Sequence, residues 1–138
     1  MTPIPQSNTL DASGHDVTVL LVEDDVLQLI GLADFLRAAG FRLFEAFNAH
    51  EAMAVLETTD VDLVFSDVNM PGGMDGLGLA TWIRDHRPAT PVILTSAMLP
   101  ARARDASGWT EDDGTFLPKP YGFAEAENVI RRAVAARR

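Results

Sequence analysis

Along the chain, short runs of consecutive apolar residues take turns with longer stretches in which apolar residues return every three or four positions. Val17 to Val22 (VTVLLV), Val61 to Phe65 (VDLVF) and Val92 to Leu94 are too short for stable helices and too continuously apolar for half-exposed strands. They predict strands covered on both faces. Phe41 to Ala46 and Thr115 to Leu117 are more polar and predict weaker strands at or near an edge. Between them, Leu29, Leu32, Ala33 and Leu36 form a helical stripe that stops at Ala39-Gly40. Asp25 with Gln28, and Asn48 with Glu51, have the spacing of capping pairs at the starts of a first and a second helix; Ala52, Val55 and Leu56 continue the second. Leu79, Ala80 and Ile83 mark a third helix stopped by Pro88, and Phe123, Ala126, Ile130, Ala133 and Val134 mark the last. The slot between the fourth and fifth strands, about Ala101 to Ala106, is poor. It runs into Ser107-Gly108 and Asp112-Asp113-Gly114, which predicts a short or irregular helix.

Five strands alternating with five helices through short links require right-handed crossovers and a mostly parallel sheet covered on both faces. The expected fold class is therefore α/β, a three-layer doubly wound sheet. Ligands of such open sheets sit outside the carboxyl ends of the strands. The chain's 138 residues suit one domain, and 47% hydrophobic with 22% charged residues supply an ordinary core. Residues 1–16 mix Pro, Ser, Asn and Asp without apolar periodicity and read as a flexible tail, leaving 17–138 as the domain. The absence of cysteine excludes a disulfide scaffold, a thiolate metal site and a cysteine nucleophile. A formal charge of -9 argues against unaided binding to nucleic acid or anionic lipid. Neither a basic start with an apolar run nor a stretch near the ~20 apolar residues of a membrane span is present. A soluble, cytoplasmic protein is the expectation.

The strand ends carry the chemistry. The first ends in Glu23-Asp24-Asp25, the third in Ser66-Asp67, the fourth in Thr95-Ser96 and the fifth in Pro118-Lys119-Pro120. If the first and third strands are neighbours, Glu23, Asp24 and Asp67 converge. Two carboxylates ~5 Å apart at an effective dielectric of ~20 repel by roughly 3 kcal/mol. Something cationic must offset several such pairs. An oxygen-only ligand set with few carboxylates favours Mg2+ over an all-protein Ca2+ cage, and Lys119 is placed to supply further positive charge.

Taken together, LLVEDD, SDVNMPG, VILTSA and FLPKP, in that order and at that spacing, resemble the receiver domain of two-component response regulators. The resemblance covers about Val17 to the C-terminus. It implies a (βα)5 flavodoxin-like arrangement with strand order 2-1-3-4-5, which sets the first and third strands side by side. It further implies that Asp67 is the phosphoacceptor, attacking the phosphorus of a phosphohistidine. Glu23, Asp24, Asp67 and the backbone carbonyl of Asn69 would hold Mg2+, with Asp25 capping the next helix; the neighbouring register, Asp24 with Asp25, stays open. Lys119 would neutralise transferring charge, and Lys119-Pro120 matches a junction that is commonly cis in the family. Ser96 would hydrogen-bond a phosphoryl oxygen and act as a switch, its movement vacating space for Phe116 to turn inward, although Phe116 reads more readily as core packing than as a switch. The implied upstream partner is a sensor histidine kinase or a histidine phosphotransfer protein, and the output is contact with a downstream protein target. With no output domain following, the expectation is a stand-alone regulator, not an enzyme in its own right beyond assisting its own phosphorylation and dephosphorylation.

Departures from the commonest pattern concentrate on the signalling face. Ser96 stands where threonine is more frequent, Phe116 replaces a frequent tyrosine, and Pro71-Gly72-Gly73-Met74 is a residue longer than the simplest loop. His15, His50 and His86 lack metal-ligand spacing and read as surface residues; Trp82 and Trp109 read as packing groups, with Trp109 also a possible partner contact. A flavin-binding protein of the same fold is disfavoured because Glu23-Asp24-Asp25 would repel its phosphate. An aspartyl-nucleophile phosphatase would want a second acid where Asn69 stands. The rival that remains is a receiver-fold interaction module that signals without phosphorylation.

Overall fold

The structure is a computed structural model and describes residues 16–97 and 116–136. Within them the chain runs β1 (Thr18–Val22), α1 (Val26–Ala38), β2 (Arg42–Ala46), α2 (Ala49–Thr58), β3 (Leu63–Asp67), α3 (Gly76–His86), β4 (Val92–Ser96), β5 (Phe116–Pro118) and α4 (Phe123–Ala136). The strands form one parallel sheet in the order β2-β1-β3-β4-β5. This is the flavodoxin-like order, and β1 and β3 are neighbours as the crowding of acids required.

Because side chains alternate along a strand, each apolar run feeds two layers at once. Leu20, Val22, Val64, Leu94 and Phe116 point to the side covered by α2 and α3, where they meet Ala52, Leu56, Leu79 and Ile83. Val19, Leu21, Leu63, Phe65, Ile93 and Leu117 point to the other side, against Leu29, Leu32, Ala33 and Leu36 of α1 and Ala126, Ile130 and Val134 of α4. That double covering explains why β1, β3 and β4 are buried throughout, whereas β2, at one edge, exposes Arg42 and Glu45.

Local chemistry sets the helix ends. Asp25, Asn48 and Asp75 are N-caps whose side chains accept from the backbone N–H of Gln28, Glu51 and Gly78. Glu51 reaches back to the N–H of Phe47 at 2.7 Å, but the Gln28 side chain instead donates to the Tyr121 hydroxyl at 3.4 Å. The second pair thus comes nearer to a capping box, its Glu51 side chain bonding the residue before the Asn48 cap rather than the cap itself. Beyond α1, Gly40 takes φ 102°, which a side chain would resist. The third helix ends at His86 because Arg87, which precedes Pro88, is pushed out of the helical region to φ -140°.

Strand boundaries differ from expectation by one or two residues, most of all in β3. The third strand begins at Leu63 and runs to Asp67, two residues later than the apolar run suggested. Asp62 lies outside it and accepts the N–H of Thr18 through Oδ2 at 2.8 Å, so its polar side chain serves the start of β1. The expected tail (1–15 of it), the slot at 101–106, Trp109 and Arg137-Arg138 lie outside the described residues. No helix among the described residues is long and apolar enough to cross a membrane.

Candidate functional site

The carboxyl edge of the sheet gathers the residues that close β1, β3, β4 and β5. A ligand oxygen from each of Glu23, Asp24 and Asp67 falls within 4.8 Å of the others. Glu23 and Asp67 are buried, at 7% and 5% exposure, and Asp24 is exposed. Lys119 Nζ lies 3.1 Å from Asp67 Oδ2 and 3.3 Å from Glu23 Oε1, bridging the two buried acids. Asp25 is drawn away into the α1 cap, its Oδ1 3.2 Å from the N–H of Gln28. Geometry thus groups Glu23 with Asp24 and leaves the alternative pair, Asp24 with Asp25, divided between two tasks.

Backbone contacts hold the acids in place. The Glu23 N–H donates to the Ala46 carbonyl at 3.0 Å, and its Oε2 accepts the Asp25 N–H at 3.1 Å. Asp67 Oδ1 accepts the Asn69 N–H at 3.3 Å. Burial raises the Glu23 carboxyl above its ordinary range; the Asp25 N–H opposes this, the Asp67 charge adds to it, and Lys119 pulls back. Burial works on Lys119 in the opposite direction, but its hydrogen bond and charge contact with Asp67, reinforced by Glu23, leave it above the usual lysine value. It is therefore a firmly charged ammonium at neutral pH.

On the other flank, Ser96 is buried and its Oγ accepts from Asn69 Nδ2 at 3.3 Å. The Lys119 N–H donates to the Ser96 carbonyl at 2.9 Å, and the Lys119-Pro120 bond is cis. Phe116 is only 5% exposed and already packed among Val64, Leu94 and Ile83. The inward turn expected of it thus has no outward starting position in this structure. His50 and His86 stay outside the acid cluster: His50 Nε2 contacts the Gly72 carbonyl at 3.2 Å, and the His86 ring stacks on Trp82.

Two contributors escaped the sequence reading. Tyr121 links the loop after β5 to α1 through Gln28 and sets its ring edge-on to Phe65, with centroids 5.7 Å apart. Burial raises its phenol above the ordinary value. Its signal was its place two residues after Lys119. Asp75 caps α3, the helix that follows β3, and its signal was an Asp immediately before Gly76 at the start of an apolar periodic stretch.

The donor set suits a hard dication. Every ligand is oxygen, and three carboxylates facing one ammonium leave two formal negative charges in a partly buried space.

The model of the response regulator receiver domain matches residues 19–131. The chain belongs to this family. Among curated relatives, the transcriptional regulatory protein PdtaR of Mycobacterium tuberculosis is 36% identical over 121 residues, 85% of this chain and 56% of that protein. The DNA-binding transcriptional regulator NtrC of Salmonella typhimurium is 33% identical over 117 residues, again 85% of this chain but 24% of that protein. The chain thus spans between about a quarter and about half of these relatives' length. A CheY-like receiver domain from Methanospirillum hungatei superposes with a TM-score of 0.79 at 21% identity, covering 88% of this chain and 96% of that one. The response regulator TrrA of Thermotoga maritima, solved in complex with Mg(2+)-BeF, gives 0.72 at 28% identity, covering 85% and 98%. Receiver domains are signalling modules of two-component systems; they bind Mg2+ at an acidic pocket and interact with histidine kinases or phosphotransfer proteins.

Proposed function

We propose that this receiver accepts a phosphoryl group on Asp67 from a phosphohistidine partner, in a reaction that depends on Mg2+. The carrying observation is the convergence of Glu23, Asp24 and Asp67 around a lysine that touches both buried acids. A carboxylate oxygen of Asp67 forms a bond to phosphorus as the bond from phosphorus to the histidine nitrogen breaks, the electron pair leaving with the imidazole. Glu23, Asp24, Asp67 and the Asn69 carbonyl would hold Mg2+, which supplies charge neutralisation for the transferring oxygens.

The chain's own groups do the rest. Lys119 keeps its charge against Asp67 and offsets the anionic phosphoryl group as it arrives. Ser96 Oγ, which accepts from Asn69 Nδ2, would donate its own proton to a phosphoryl oxygen. The added charge, roughly -1.5 to -2, then favours a state in which Ser96 has moved toward it. Because Phe116 is already inside, the response falls on Ser96 and the chain that follows it, with Phe116 as the surface it works against. The receiver occupies 17–138 with 1–16 as a tail. It works in the cytoplasm, is charged by a sensor histidine kinase or a histidine phosphotransfer protein, and passes its state to a downstream protein.

Incubation with Mg2+ and acetyl phosphate followed by intact mass tests this directly. The natural chain should gain one phosphoryl group, and Asp67→Asn none. Equal gain in both moves the acceptor elsewhere; gain in neither favours the phosphorylation-independent interaction module.

A further inference from the structure

Two kinds of glycine flank the acid cluster. Gly72 and Gly73 take φ of 97° and 89°, and a Cβ there would meet nothing within 4 Å. They serve the shape of the loop. Gly76 is different, because its φ is not positive and its backbone would suit any residue. What excludes a side chain is contact: a Cβ would lie 2.2 Å from the Asp67 carbonyl oxygen, 2.8 Å from Val68 Cα and 2.9 Å from the Asp67 carbonyl carbon. These are rigid backbone atoms of the residue bearing the reactive carboxylate and of the one after it.

The same segment is pinned on both sides. The Val68 N–H donates to the Thr95 carbonyl at 2.9 Å, and the Gly76 N–H donates to the Val68 carbonyl at 2.8 Å. Val68 is fully buried. The first residue of α3 therefore presses directly on the peptide between Asp67 and Val68, one bond from the Asp67 side chain and one residue from Asn69. A displacement there moves the carboxylate and the Asn69 carbonyl together.

We propose that Gly76 is a positioning residue for the phosphoacceptor: by lacking a side chain it lets the start of α3 seat against the Asp67 peptide and fix where the Asp67 carboxylate points. The role as phosphoacceptor rests on the functional reading above, whereas the seating is a property of the fold. Gly78, two residues along the same helix, supplies the control. A Cβ there meets chiefly the flexible Met74 side chain, at 2.9 Å, and no backbone of β3.

The test compares the full chain with Gly76→Ala and Gly78→Ala by amide resonances of residues 67–69 without magnesium, by calorimetric Mg2+ affinity, and by rate of phosphoryl gain from acetyl phosphate. Gly76→Ala should shift those resonances, weaken Mg2+ binding at least about fivefold and slow phosphorylation about tenfold, as misplacement of a reacting group does. Gly78→Ala should stay within about twofold of the natural chain on both measures, since Ala suits a helix interior. Unchanged resonances and unchanged affinity in Gly76→Ala overturn the proposal. A natural chain that takes no phosphoryl group overturns the functional reading instead, and the resonances still decide the seating. If Gly76→Ala does not fold, Asp75→Ala loosens the same turn without adding bulk, while Asp75→Asn keeps the cap. The alanine variant should then lose Mg2+ affinity and the asparagine variant regain it; equal affinity in the two overturns the proposal.

Discussion

The two flanks of the carboxyl edge are built on opposite terms. Where β1 and β3 end, Glu23, Asp24 and Asp67 crowd together, and the buried pair is tied by backbone amides and by Lys119. Where β4 ends, Ser96 contributes one neutral hydroxyl, 3.3 Å from Asn69 Nδ2, and the neighbouring Thr95 hydroxyl is buried with no partner. Like charges a few ångströms apart repel by several kcal/mol at an effective dielectric near 20, so their placement must be over-determined. A neutral hydroxyl meets no such repulsion. The contrast separates a flank where charge must be held in place from the neutral flank on which the proposed response would fall.

Removing the ammonium strikes the first flank hardest. Lys119→Met should slow phosphoryl gain by about a hundredfold, the usual scale for losing one preorganised charge-stabilising donor. Its thermal or urea unfolding should show a loss of about 2 kcal/mol once the lysine's partial exposure is allowed for. Full activity in this variant would break the account of how that flank tolerates its charge. Asp24→Asn comes next. It should melt higher than the natural chain without magnesium, gain less when Mg2+ is added, and bind Mg2+ at least about tenfold more weakly, all readable by scanning and titration calorimetry.

On the responding flank, Ser96→Ala should slow phosphoryl gain about tenfold, the worth of one charge-assisted hydrogen bond, with little change in melting. A large fall in stability would make Ser96 a structural tie like those on the other side. The smallest effect is expected next door. Thr95→Val keeps the shape and removes the unpartnered hydroxyl, so unfolding should cost about 1 kcal/mol more than in the natural chain.

Much of this frame was legible in the order of residues. Runs such as Leu20-Leu21-Val22 are apolar because both faces of the strand are covered, and acids directly after such runs stand out. Short range decides those features. The resemblance favoured Asp24 with Glu23 but left the Asp24–Asp25 register open, because that choice depends on which acid the amides of α1 take, and in the fold Asp25 caps that helix. Phe116 read more readily as core packing than as a switch, and it sits in the core with Leu94 and Ile83. Tyr121 meets Gln28, 93 positions away, and Gly76 lies against Asp67, nine positions away; the place of Tyr121 after Lys119 marks the residue, but no local pattern names either partner.

The placing of β1 between β2 and β3 governs how the chain comes together. Thr18 faces Arg42 on one side, and Val19 faces Leu63 on the other, so β1 is sandwiched only when β3 has joined it. Loop closure over such spans makes assembly slower than in a helical bundle. It also brings β1, β2 and β3 together as a unit that already holds all three acids, to which β4 and the three-residue β5 are expected to add later. Pulse-labelled hydrogen exchange should find amides of β1 and β3 protected before those of β5.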